Sequence, residues 1–156
     1  MNNEKLNKWL SVIANFGVLA GIIILAVEIH QNTETTRAQI TQSRADTAIA
    51  LASAYFNSDY LPDVNAKIRG GEKLTYQEAS RYRAFLRAAL RNHQNNYLQY
   101  RQGFLGEYIP RSTTDAVRNM TSSAIGREYW ERNKSNYSDE FSEFVDHALT
   151  ESDSGE

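Results

Sequence analysis

The stretch from Leu10 to Val27, LSVIANFGVLAGIIILAV, runs for 18 residues without a charge. As an α-helix rising 1.5 Å per residue it covers roughly 27 Å, close to the thickness of a bilayer's hydrocarbon core. Eleven of the 18 are Leu, Ile, Val or Phe. At about -0.3 to -0.6 kcal/mol each, they favour insertion by roughly 3 to 7 kcal/mol before Ser11, Asn15 and the two glycines subtract their share. Trp9 stands at the near end, where an amphipathic indole suits the interface, and Glu28 and His30 close the far end. A cleaved signal peptide, with Lys5 and Lys8 as its basic region, competes with this reading, as does a buried core helix. Signal peptides have apolar cores of about 7–15 residues followed by an A-x-A-like site, whereas here Ala26 leads into Val27, Glu28 and Ile29. The expectation is an uncleaved transmembrane helix over residues 10–29 behind a short segment, 1–9.

Lys5 and Lys8 lie closer to the apolar run than Arg37 and Arg44 do. By the positive-inside rule the amino terminus belongs in the cytoplasm and the remainder outside. Within the run, Gly17 and Gly21 form a G-x-x-x-G pair, and Ala14 extends the same small face. Such faces let helix backbones approach closely, although glycine is common in membrane helices in any case. Steps of three and four carry this face on to Glu28, a carboxylate at the membrane edge that suits a polar contact with a partner helix. Ala14, Gly17, Gly21 and Glu28 are the candidate association residues.

Beyond residue 30 the chain is polar and its pattern is helical. Gln31 to Asn57 has neither Gly nor Pro. Ala38, Ala45, Ile49, Ala52 and Phe56 form one stripe there, which Ile40, Ala48, Leu51 and Tyr55 widen. Leu61-Pro62-Asp63 opens a short helix toward Ile68 that Gly70-Gly71 ends. Thr75 and Glu78 match a capping box, and the helix they open reads to about Leu105, with Ala79, Tyr82, Leu86, Ala89, His93, Tyr97, Tyr100 and Phe104 on one face. Ser112 or Thr113 caps a further helix toward Ile125, which Gly126 interrupts. Tyr129 and Trp130 fall in a polar stretch, and Ser138 caps a last helix with Phe141, Phe144 and Val145 inward. The fold class is therefore all-α: a transmembrane helix followed by a small helical bundle over 31–149, with a disordered tail over 150–156.

The chain's 156 residues carry a net charge of -2 and no cysteine. The charge argues against a nucleic-acid partner, and the missing thiols exclude disulfide scaffolds, zinc ribbons and thiol catalysis. Three histidines without E-x-x-H or H-x-x-x-H spacing offer no metal site. Phosphate loops, nucleotide fingerprints and nucleophile elbows are absent, so no catalytic residue and no cofactor is expected. His93 reads as a histidine buried in the apolar face and hydrogen-bonded to a neighbour. Between Ala79 and Gly106 there are five arginines and no acid. Arg83, Arg87 and Arg91 lie on one flank and are candidates for holding an anion. The competing readings are plain solvation and pairing with the acidic end of the chain, where Asp139 to Glu156 holds seven acids and no Lys or Arg.

The exit from the apolar run also carries a resemblance. Trp9, Asn15, Gly17, Gly21, Glu28, Ile29, Gln31, Asn32 and Thr33 resemble the start of a group of small bacterial single-pass membrane proteins of uncharacterised activity. Tyr129-Trp130 with Phe141, Phe144 and Val145 is similar too. The resemblance covers about a third of the chain and implies a helical protein of the bacterial inner membrane. It implies no catalytic residues. The function expected is non-enzymatic association, as a homo-oligomer or an accessory subunit of a membrane complex. The alternative is an extracytoplasmic module that senses or binds a small anion.

Overall fold

A computed structural model describes residues 3–153, and every element among them is helical. The all-α expectation holds. The chain divides near Ile40 into two units, taken here in turn.

The first unit is the leading part of α1, a single helix over Asn3–Phe56. Its large apolar side chains between Leu10 and Val27 stay 44–67% exposed. They surround the helix rather than lining one stripe, so no single protein surface could cover them. α1 is long and apolar enough to cross a membrane. Past the run, a threonine-rich stretch is helical too, and Thr33, Thr35 and Thr36 satisfy their hydroxyls within it by donating back to the carbonyls of Ile29, Gln31 and Asn32, each at 2.9 Å.

The second unit holds the end of α1 and the bundle: α2 (Leu61–Arg69), α3 (Tyr76–Arg101), α4 (Tyr108–Thr121), α5 (Ala124–Asn133), a 3₁₀ turn (Lys134–Asn136) and α6 (Asp139–Asp153). α3 is the central helix and packs against α2, α4, α5 and α6. The core joins Leu61 and Val64 of α2, Leu86 and Leu90 of α3, Val117 of α4, Trp130 of α5, and Phe141 and Val145 of α6. Each such side chain stabilises the fold by about 1.5–3 kcal/mol through burial. Trp130 is fully buried, and its indole N–H donates to Asp146 Oδ1 at 2.7 Å, which satisfies the one polar atom that burial would orphan.

Local chemistry sets most boundaries. Thr75 and Glu78 form the expected capping box: the Thr75 hydroxyl accepts from Glu78 N at 3.2 Å, and the Glu78 carboxylate accepts from Thr75 N at 2.8 Å. α2 and α3 both end in Schellman turns, with Gly71 and Gly103 at φ of +70° and +78°. Gly103 therefore stops α3 at Arg101, short of the expected Leu105.

Several expectations need correction. Along α1, Ala38, Ala45, Ile49, Ala52 and Phe56 are exposed, and in the second unit Arg44, Leu51 and Tyr55 are the half-buried residues. Alanines bury too little area to decide a face, so longer side chains do: Arg44 donates to Asn96 Oδ1 at 2.9 Å and to the Tyr108 hydroxyl at 2.7 Å. Tyr55 accepts from Asn65 Nδ2 at 3.0 Å. α4 starts at Tyr108 rather than at Ser112, because a proline in the first turn has no N–H that the helix needs. Gly126 lies inside α5, and Tyr129 and Trp130 are helical and buried. Only Ser122 and Ser123 separate α4 from α5, so the first turn of α5 presses on the end of α4. A Cβ on Gly126 would sit 1.9 Å from the Met120 carbonyl oxygen. α6 extends through Thr150 to Asp153, where a disordered tail was expected, and residues 154–156 lie outside the described residues.

Candidate anion pocket

Capped by Thr75 and rich in alanine, the first four turns of α3 have two flanks that do different work. Tyr82, Leu86, Ala89 and Leu90 face the core. On the adjacent flank Tyr76, Ser80, Arg83, Arg87 and Arg91 follow one another at helical spacing and line a cavity of about 500 Å³. α5 supplies the facing wall through Tyr129 and Asn133, and the turn after it adds Asn136 and Tyr137. All three arginines picked out from the sequence thus open into one pocket. Its lining contains no carboxylate.

The three guanidinium groups are not equivalent. Arg83 Nη2 lies 3.5 Å from Glu128 Oε2, and the other Glu128 oxygen is 3.1 Å from Arg132. Arg91 stacks its guanidinium over the Tyr137 ring, 4.7 Å from the centroid, and donates to Gln94 Oε1 at 3.3 Å. Among the described residues Arg87 has no ion pair or hydrogen bond, and neither Arg87 nor Arg91 has a carboxylate partner. Among the described residues the acidic end of the chain meets Arg101, through Glu140 at 2.7 Å, and Lys134, through Asp146 at 3.4 Å, and it is not paired with Arg87 or Arg91. Self-neutralisation therefore accounts for Arg83 and Arg101 and leaves two positive charges uncompensated at the pocket.

The hydroxyls of Tyr129 and Tyr137 stand 3.4 Å apart in the pocket wall. Burial is the main reason the Tyr137 phenol is pushed far above its ordinary range, with the Tyr129 hydroxyl adding to the effect. The charges of Arg91 and Arg87 pull the other way without offsetting burial, so Tyr137 stays a protonated donor. His93 is half-buried on α3, and desolvation lowers its pKa. The expected hydrogen bond to a neighbour is absent among the described residues.

The association candidates lie elsewhere. An added Cβ at Gly17 or Gly21 would meet nothing within 4 Å, and Ala14 and Glu28 are exposed on α1. No described cluster of His, Asp and Glu is arranged to hold a metal.

Sequence reasoning found the arginines and missed their surroundings. Tyr129, Asn133, Asn136 and Tyr137 carry no sequence signal of their own, because they fall in a polar stretch after Gly126 to which the sequence pattern assigns no element. Placing it on a helix puts Tyr129 and Asn133 one turn apart on a single face. Comparison of the chain with family models, curated proteins and solved structures finds no match.

Proposed function

We propose that this protein is a membrane-anchored binding module whose helical bundle takes up a small anion. The carrying observation is that Arg83, Arg87 and Arg91, on three successive turns of α3, open into one cavity with no acid in its wall. A pocket of this size suits a small metabolite, and guanidinium forks suit carboxylate or phosphate oxygens. In this reading α1 anchors the module in the bacterial inner membrane, with the bundle outside the cytoplasm. A partner protein carries any signal onward. The test is a melting-temperature screen against organic and inorganic anions. A ligand at 100 times its Kd raises stability by about 2.7 kcal/mol. A flat profile with folded protein would overturn the reading.

Self-association through α1 is a second reading. The open face at Gly17 and Gly21 favours it, as does the exposed apolar stripe formed by Ile49 and Phe56 in the other unit. Replacing Gly17 and Gly21 by leucine lowers the native mass in mild detergent if that face mediates assembly as a homo-oligomer or with an accessory partner. Unchanged assembly would remove the face from consideration.

A further inference from the structure

We infer that the group held by Arg87 and Arg91 is the dianion of a phosphate monoester carried on a polyol, an inference that rests on the anion-binding reading above. Charge is the first argument. Arg83 shares Glu128 with Arg132, whereas Arg87 and Arg91 have no carboxylate partner among the described residues, and a phosphate monoester carries about two negative charges at neutral pH.

Geometry is the second. Arg87 and Arg91 are one turn apart, a spacing at which side chains start about 5–6 Å from each other. Two forks converging from that distance can share one tetrahedral group with three terminal oxygens. A planar carboxylate, with two oxygens, is filled by a single fork. The hydroxyls of Tyr129 and Tyr137 lie 3.4 Å apart. When one donates to the other, the second proton is left for a phosphate oxygen.

Volume is the third argument. About 500 Å³ far exceeds the needs of a bare phosphate. The remaining wall offers the Ser80 hydroxyl and the Asn133 and Asn136 amides, donors and acceptors suited to hydroxyl groups rather than to an alkyl chain. Such a phosphorylated polyol is either a soluble metabolite or the headgroup of a lipid, and the chemistry at Arg87 and Arg91 is the same.

Calorimetry on the full-length protein in phosphatidylcholine nanodiscs tests this with glucose 6-phosphate, glycerol 3-phosphate and succinate. A parallel arm measures the protein's retention on vesicles containing phosphatidic acid. A phosphate ester should bind at least tenfold more tightly than succinate. Its affinity should fall below about pH 6, where the ester takes up its second proton, because the arginines do not titrate. Arg87→Gln should weaken binding tenfold or more with little change in melting temperature, since Arg87 is exposed and has no ion pair or hydrogen bond among the described residues. Arg91→Gln should weaken binding as much, with a small drop in melting temperature from the lost stacking on Tyr137, and Arg101→Gln should leave binding unchanged. Retention on phosphatidic acid with no binding of the soluble esters would support the same chemistry with lipid as its source. Succinate binding as tightly as the esters would overturn the phosphate assignment while leaving the anion pocket standing. Binding by none of them, nor by any anion in the melting screen, would overturn both.

Discussion

The apolar run of α1 and the core of the bundle use the same residue types to opposite ends. In the run, Phe16 and Ile13 are 67% and 63% exposed, while in the bundle Phe141 and Val145 are completely buried. What differs is the arrangement around the helix. Leu10 to Val27 places apolar side chains on every side, so packing against one protein surface would still leave most of them in water. α2 to α6 confine theirs to a stripe that neighbouring helices cover. A helix apolar all round suits lipid, whereas a one-sided helix suits a protein core. The difference shows that burial is a property of patterning rather than of hydrophobicity alone.

The comparison breaks most visibly if one region is charged and the other left alone. Replacing Leu19 and Ile23 together by arginine should cost insertion about 6–8 kcal/mol, enough to cancel the whole gain of the run. The expected outcome is loss of the protein from the membrane fraction with the bundle's melting transition retained. Loss of folding instead would mean that the run has a protein partner.

The converse change strikes the core. Trp130→Ala should destabilise the bundle by about 3–5 kcal/mol, by opening a cavity where Trp130 packs against Tyr137 and Phe141. Denaturant unfolding would read this loss, and membrane retention should not change. Gly126→Ala adds a single methyl group, yet it forces α5 off the Met120 carbonyl and should cost about 1–3 kcal/mol. The same substitution at Gly17, where space is open, should leave stability unchanged.

Acid sharpens the contrast with the smallest effect. Burial holds the His93 pKa below the ordinary 6.5, so the unfolded chain takes the proton first. Stability from this site is complete above about pH 6.5 and declines as pH falls below it. Glu78 acts in a lower window. The Lys67 ammonium, followed by the Thr75 backbone N–H, lowers its pKa from 4.5 to about 2, and the stabilisation it gives above pH 4.5 is lost on descent toward 2. Melting temperatures measured from pH 7.5 to 3 should fall in two steps. His93→Gln should remove the upper step and Glu78→Gln the lower.

Much of this fold was legible because its signals are local. The α3 stripe from Tyr82 to Tyr97, the Thr75 cap and the inward Phe141 and Val145 depend on residues three or four apart, and a linear pattern records them. The face of α1 was misjudged because alanine fits packed and exposed positions alike, and the deciding contact joins Arg44 to Asn96 and Tyr108 across more than 50 residues of sequence. The pocket was half legible. Its arginines share a helix, whereas Tyr129 and Tyr137 reach it only through the packing of α5 against α3.

By itself, then, the sequence determined the elements: a charge-free run of bilayer length, the capped and glycine-terminated helices, and a flank of arginines without neighbouring acids. Spacing along a helix is fixed by backbone geometry and needs no tertiary partner. Only the tertiary structure decided which arginines remain uncompensated. Glu128 of α5 came to Arg83, Glu140 of α6 came to Arg101, and among the described residues no carboxylate came to Arg87 or Arg91. Ion pairing acts over a few ångströms, and that proximity exists only once the helices have packed.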